Sequence, residues 1–331
     1  MPYIDKNGKP VLWEETDYFN QYRKALIYYP VKAKRISGIP DCDFTYEILV
    51  SPTPTPTQTG TPTPTPTPTT PSVDPDAAAY LADVVTSGGT TNPTIEAAVN
   101  TLFTDLKSNG LYSKMLAMYP YVGATAASHS INALLNKTYD ITWYGGMSHS
   151  ISGATGDGIN GYGDTNFLSV NFTASDDYSF GLYQNTENTP ARGEEISMGT
   201  FFGSTYFQLA TNVNSVNWFM RSNSNTATQG ANSGNIDGNY IVNRTGTTYT
   251  SLSRNATTIL SNTTAPVSLQ GTNKIFVFNM GYNNPSIPYG NGYANQTFGF
   301  TFMGEGLSNS EITTLDGIIN TFQTSLGRNT Y

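Results

Sequence analysis

The sequence predicts a mainly β chain: an antiparallel jelly-roll sandwich with short flanking α-helices, set behind a small α+β module and a proline-threonine stalk. Three observations lead there. From about Tyr139 to Phe302 the apolar residues recur with period two, and Gly, Asn, Ser and Thr break the runs about every ten to fifteen residues. Only 12% of residues are charged while 37% are hydrophobic and 12% aromatic, so amides and hydroxyls rather than charges solvate the surface. Residues 51–71, SPTPTPTQTGTPTPTPTPTTP, alternate proline with threonine, a pattern that no packed domain buries.

Residues 1–50 carry seven Lys/Arg against seven Asp/Glu and are neutral; the remainder carries nine basic and seventeen acidic groups, giving the net −8. Two compositions imply two modules. In the first, EETDYFNQYRKALIYYP has Tyr18, Tyr22, Ala25 and Leu26 spaced for one helical face before Pro30, and FTYEILV reads as a strand. Fifty residues are marginal as an independent domain, so this segment is expected to be an anchor completed by a partner. A free-standing α+β knob is the alternative.

In residues 51–73 every second backbone donor is missing, which leaves polyproline II at about 3.1 Å per residue and a reach of roughly 60 Å. Mucin-like glycosylation of the threonines is a second reading, disfavoured by the charged N-terminus where a signal peptide needs an apolar run.

Residues 74–138 are expected to be helical. DPDAAAYLADVV opens with an acidic start and Pro75, and Ile95, Val99, Leu102, Phe103 and Leu106 step at helical spacing to a stop at Gly110. LYSKMLAMYP is expected to add a turn or two of helix before Pro120.

Residues 139–307 are expected to form the sandwich. Its strands come from FLSVNFT (Leu168, Val170, Phe172), YSFGLYQ (Tyr178, Phe180, Leu182), EISMGTFF, TYFQLAT, VNWFMRS, NYIVNRT, TTYTSLSR, ATTILSN, KIFVFNM and QTFGFTF. Over 308–331, Ser308 and Glu311 make a capping box, Ile312, Leu315, Ile319, Phe322 and Leu326 an amphipathic stripe, and Gly327 a C-terminal cap.

Several stretches resemble a known family. FMGEGLSNSEI is similar to the end of laminin-G-like and pentraxin-like sandwiches of the concanavalin A-like superfamily, and SLSRNATTILSNTT resembles their hairpin with an Asn-centred turn. PTIEAAVNTLFTDLKSNGLYSKMLAMYPYVGATAASHSINA, SHSISGATGDGINGYGDT and GEGLSNSEITTLDGIINTFQTSLGR, in that order, resemble a C-terminal module of tailed-phage virion proteins of the crAss-like, Bacteroides-infecting type. The resemblance covers about residues 74–331. It implies a concanavalin A-like sandwich on a phage particle, used for surface or carbohydrate attachment, and carries no site residue across.

Chemistry is sparse. Glycosidases of that fold present Glu-x-Asp-x-Glu on one strand; in GEEISMG, Ser197 and Gly199 stand where Asp and the second Glu belong after Glu195. The adjacent Asp176 and Asp177 read as a turn. His129 and His149 lie in Ser-His-Ser contexts without the partners of a serine triad or zinc site. DGINGYGD has calcium-loop composition, but Ile159 and Gly161 occupy ligand positions, so a glycine-rich turn is expected and no cofactor is assigned, calcium being the only one considered.

The most site-like stretch is GYNNPSIPYGNGYANQ. Its Tyr282, Tyr289 and Tyr293 offer faces for sugar rings, and Asn283, Asn284 and Asn291 offer donors and acceptors for hydroxyls. An ordinary loop with tyrosines packed at its base is the alternative.

The expectation is a non-enzymatic virion fibre or decoration protein, a head fibre rather than a tail fibre, made in the host cytoplasm and displayed on the particle surface. Residues 1–50 would meet other virion proteins and the head a cell-surface polysaccharide, in a homo-oligomer, trimers being common among proteins of this build. Other readings are a ligand-free decoration protein, a polysaccharide depolymerase and a bacterial adhesin. The acidic head lacks a basic stripe, so nucleic acid is not expected as a partner. No run approaches 18 apolar residues, so no membrane insertion is expected, and the single Cys42 forbids an internal disulfide.

Overall fold

Proline at the first turn, with an Asp or Asn cap before it, starts each of the first two helices in the computed structural model. The model describes residues 73–134, 138–186, 194–202, 205–213, 217–224, 226–231, 236–268, 274–282, 288–290 and 292–331. The expected anchor (1–50) and all of the expected stalk (51–73) but Val73 lie outside them. Helix α1 (Pro75–Thr86) is capped by Asp74, whose carboxylate accepts from the N–H groups of Asp76 and Ala77. Helix α2 (Pro93–Ser108) is capped by Asn92. Lys107 near the end of α2 pairs with Asp74 and Asp76 at 2.7 Å each and ties the two helices together.

The strands follow: β1 (Met115–Tyr119), then a five-residue helix α3 (Ala126–Ser130), β2 (Thr142–Tyr144), β3 (Ser148–Ser150), β4 (Gly153–Thr155), β5 (Tyr162–Leu168), β6 (Asp177–Thr186), β7 (Glu194–Glu195), β8 (Met198–Phe202) and β9 (Thr205–Val213). Next come β10 (Asn217–Ser222), β11 (Thr228–Ala231), β12 (Gly238–Thr245), β13 (Thr250–Arg254), β14 (Thr257–Asn262), β15 (Lys274–Val277), β16 (Met280–Tyr282) and β17 (Thr297–Gly304). Helix α4 (Asn309–Ser325) closes the chain.

The strands form two sheets. The first runs β14-β13-β12-β6-β17-β4-β3, with β1 added beside β17. The second runs β11-β10-β9-β8-β15-β5-β2, with β16 and β7 added beside β8 and β9. Every ladder is antiparallel except β16 on β8. The expected mainly β antiparallel sandwich with short flanking helices is therefore the fold found.

Two cores explain the layering. Between the sheets, Tyr178, Phe180 and Leu182 of β6 meet Phe207 and Leu209 of β9, Met220 of β10 and Val277 of β15. On the other side of the first sheet, Tyr183, Ile241, Phe300 and Phe302 meet Val99, Leu102, Phe103 and the α4 stripe Ile312, Leu315, Ile319 and Phe322. Each such buried side chain contributes about 1.5–3 kcal/mol. The helices thus cover one sheet, and among the described residues no helix packs on the outer face of the other. The α4 start is the expected capping box, with Glu311 N–H donating to Ser308 Oγ at 3.3 Å and Ser308 N–H to Glu311 Oε2 at 2.8 Å. Gly327 turns the chain at φ +67°.

Two expectations need correction. LYSKMLAMYP is one short 3₁₀ turn (Tyr112–Lys114) and then β1, so a strand lies inside the segment expected to be helical. Met115 and Met118 enter the helical core while Ala117 and Tyr119 enter the sandwich core, a two-sided burial that a strand gives and a single helical stripe does not. FLSVNFT is not a strand throughout: β5 stops at Leu168, and Asn171 Oδ1 accepts from Leu168 N–H at 3.0 Å across a 3₁₀ turn. Val170 is consequently exposed.

The Asn-centred hairpin expected in SLSRNATTILSNTT joins β13 to β14. Asn255 and Ala256 have φ of +49° and +60°, the two left-handed positions of a type I′ turn. Alanine is strained there. Ala256→Gly is expected to stabilise the protein by about 0.5–1 kcal/mol, read as a raised thermal midpoint; an unchanged or lowered midpoint would show that the hairpin turn is not strained.

Candidate functional site

Inward residues of the second sheet are fixed by the sandwich core, and alternation sends their neighbours outward. Tyr144 on β2, Tyr162, Asp164 and Asn166 on β5, Lys274 and Phe276 on β15, Gly199 and Phe201 on β8, Tyr206 and Gln208 on β9, and Phe219 and Arg221 on β10 share that outer face. The register runs Asp164–Phe276–Gly199–Gln208–Arg221 straight across five strands.

Two aromatic columns stand on this face. In the first, Tyr144 stacks on Tyr162 at 4.8 Å and 13°, and Tyr162 on Phe276 at 5.1 Å and 21°. Tyr144 is 45% exposed and Phe276 fully buried, so the column runs from solvent to sheet. In the second, the Arg221 guanidinium lies 4.1 Å from the Tyr206 ring centroid, and Tyr206 stacks on Phe201 at 4.0 Å.

The loop singled out in the sequence reaches both columns. Tyr293 stands 6.3 Å from Tyr162, and Tyr289 packs with Ile196, Phe201, Met280 and Tyr206. Backbone bonds hold the loop down: Tyr289 N–H to Met280 carbonyl at 2.8 Å, Ile196 N–H to Gly292 carbonyl at 2.9 Å, and Ala294 N–H to Phe278 carbonyl at 2.9 Å. Tyr289 therefore packs at the loop's base, while Tyr293 joins the more exposed column. Asn283, Asn284, Asn291 and the Tyr282 side chain lie outside the described residues.

Polar groups flank the first column. Lys274 Nζ donates to Asp164 Oδ2 at 2.8 Å and Asn166 Oδ1 at 2.7 Å, and Asn166 sits in the left-handed region at φ +56°. Burial, with Tyr144, Tyr293 and Asp164 nearby, pushes the Tyr162 phenol up to about 12. It stays neutral and keeps its O–H as a donor at physiological pH. Flat rings beside fixed donors and acceptors suit a ligand with an apolar C–H face and hydroxyl edges.

The other sequence candidates resolve differently. Asp157 Oδ1 of DGINGYGD accepts from the N–H groups of Ile159, Asn160 and Gly161 at 2.7–2.9 Å, closing the turn between β4 and β5. Glu195 is fully buried and accepts from Gln296 Nε2 at 3.3 Å inside the protein. Among the described residues no three His, Cys, Asp or Glu side chains stand close enough to hold a metal.

Sequence reasoning missed that His129 at the end of α3 meets His149 on edge strand β3, Nδ1 to Nδ1 at 3.1 Å. That contact needs one Nδ1–H donor and one bare Nδ1 acceptor, so at least the accepting ring is neutral. Burial depresses His129 to about 3, helped by His149 and Arg328, and depresses His149 to about 4. The two rings meet edge to face at 5.2 Å and pack against Tyr121 and Trp143, and among the described residues no Asp, Glu or Cys joins them in a metal-binding group. The pair is a structural clasp.

No protein-family model and no curated protein matches the sequence. Solved structures do match. Domain 4 of the extracellular arabinanase AbnA from Geobacillus stearothermophilus, in complex with arabinotriose, is 14% identical over 61% of this chain and 98% of its own, with a TM-score of 0.40. Trypanosoma rangeli sialidase in complex with sialic acid is 8% identical over 68% of this chain, with a TM-score of 0.43. The botulinum neurotoxin serotype D binding domain is 9% identical over 62%, with a TM-score of 0.36. The chain spans 38% of the sialidase and 52% of the toxin domain. Likeness at this level carries nothing about ligand or activity.

The histidine clasp has a pH signature. Both folded-state values lie below the ordinary 6.5 of an unfolded histidine. Their stabilisation is complete above pH 6.5 and is lost as pH falls through about 4 and 3. The thermal midpoint should fall across that window, and His149→Gln should flatten the fall; an equal slope in the variant would remove the clasp from the account.

Proposed function

We propose that residues 74–331 form a lectin-like head that binds saccharide on the outer face of the second sheet without hydrolysing it. The observation that carries this is the stacked Tyr144–Tyr162–Phe276 column, solvent-exposed at Tyr144, on the one sheet that no described helix covers. A face meant only for water would alternate to polar residues there; this one places rings beside an Asp–Asn–Lys cluster.

The whole chain fits a virion fibre or decoration protein, with residues 1–50 anchored among other virion proteins, residues 51–73 as the stalk, and the head turned toward a cell-surface polysaccharide. The order of three segments over residues 74–331 supports this reading, as does the change of composition across the stalk. Several heads on one particle would raise weak single-site affinity through multivalency.

The test is binding of the full chain to an array of bacterial polysaccharides, repeated with Tyr144→Ala/Tyr162→Ala. Wild type should bind a subset, and the double variant should lose at least about tenfold in affinity, on the order of 1.4 kcal/mol, with unchanged circular dichroism. Binding to no saccharide would leave the ligand-free decoration reading, and equal binding by the variant would move the site elsewhere.

A further inference from the structure

Cations in this acidic chain are almost all committed. Among the described residues, Lys107, Lys114 and Lys274 pair with carboxylates. Arg244, Arg254 and Arg328 donate to backbone carbonyls. Arg221 is the exception: its only hydrogen bond runs from Nη1 to the Gln208 side-chain oxygen at 3.3 Å.

What holds Arg221 is aromatic. Its guanidinium lies 4.1 Å from the Tyr206 ring centroid and 5.0 Å from that of Phe219, and Tyr206 is backed by Phe201 at 4.0 Å. Stacking orients a planar guanidinium without neutralising it. Among the described residues its Nη2 donates to no group of the protein, so the arrangement is not completed by the protein's own hydrogen bonds. A fixed cation without a counter-charge, on the outer face of a sheet in a chain of net charge −8, is a site for an anion.

We infer that Arg221 is an anion-binding subsite of the ligand face, and that the saccharide bound there is acidic, with a sugar carboxylate meeting the Nη end of the guanidinium, where Nη2 has no acceptor among the described residues. Guanidinium and carboxylate are both planar and match in donor–acceptor spacing, which favours a carboxylate over a neutral hydroxyl. Register places Arg221 four strands from Tyr162, on the order of 19 Å at about 4.8 Å per strand. A single sugar cannot touch both columns; an oligosaccharide can, with its neutral units on Tyr144 and Tyr162 and its carboxylate on Arg221. This inference rests on the saccharide-binding reading above.

The experiment compares hexuronic-acid-containing bacterial polysaccharides with the same polysaccharides after carboxyl reduction, against wild type, Arg221→Gln and Arg221→Lys of the full chain. Wild type should bind the native forms at least tenfold more tightly than the reduced ones, and this preference should weaken from 50 mM to 500 mM NaCl. Arg221→Gln should abolish the preference and its salt dependence while binding the reduced forms as wild type does. That retained binding also shows that the variant is folded. Arg221→Lys, which keeps the charge without the planar fork, should fall between. Equal wild-type affinity for native and reduced forms, or an undiminished preference in Arg221→Gln, overturns the subsite while leaving saccharide binding through the tyrosines intact. Binding of no saccharide of either form overturns both.

Discussion

Phe298 and Phe300 lie two residues apart on β17, where regular pleating would send both rings to the same face. Phe298 instead stacks on Phe278 at 4.1 Å between the sheets, and Phe300 meets Phe322 at 6.1 Å beneath the helices. The switch is a bulge at Gly299, where the register steps from Phe298–Gln184 to Phe300–Tyr183. A bulge leaves a ladder carbonyl without its usual donor. Here the Gly299 carbonyl accepts from Gln323 Nε2 at 3.1 Å and Arg328 Nη2 at 3.2 Å, both from the C-terminal end of the chain.

That contact joins three layers. Arg328 also donates to the carbonyls of Tyr121 and Pro120, so one buried guanidinium ties the end of α4 to β17 and to the segment after β1. Burial lowers its pKa to about 10, which leaves it charged at neutral pH. Burying a lone cation costs several kcal/mol unless its donors are met; the three carbonyls meet Nη1 and Nη2, while Nε has no acceptor. Because β17 feeds apolar side chains to both faces, the first sheet has to be covered twice, by the second sheet and by the helices. The second sheet is needed only on its inner side. Its outer face is thus free to carry the tyrosine columns, a functional surface that follows from how β17 is buried.

Much of this was readable one segment at a time. The acidic Asp74–Pro75 start and Ser308 announced their helices, and YSFGLYQ announced its inward Tyr178, Phe180 and Leu182, because capping and pleating are local. Strand β1 was not readable, since Met115–Tyr119 divides its side chains between two cores that exist only after the helices and β17 have come together. The His129–His149 clasp was hidden for the same reason: its partners lie in separate elements. Of the proposed loop, Tyr293 proved to belong to an exposed aromatic column and Tyr289 to a packed base, while their partners Tyr162 and Tyr206 come from strands far back in the chain. A signal for them was present. Tyr206-Phe207 and Trp218-Phe219 put large rings at adjacent positions of a strand, which means that both faces of that sheet have aromatic work to do.

The claim at the centre is that ligand lies on the outer face of the second sheet and not on the helical side. Hydroxyl-radical footprinting of the saccharide-bound and free chain tests it directly, because exposed tyrosines stand on both sides of the molecule. The prediction is a slowed oxidation of Tyr144, Tyr162 and Tyr293 on binding. Tyr249, 41% exposed, and Tyr331, 39% exposed and stacked on Tyr183 beneath the helical layer, should oxidise at their free rates. Protection of Tyr331 with Tyr144 and Tyr162 unchanged would contradict it.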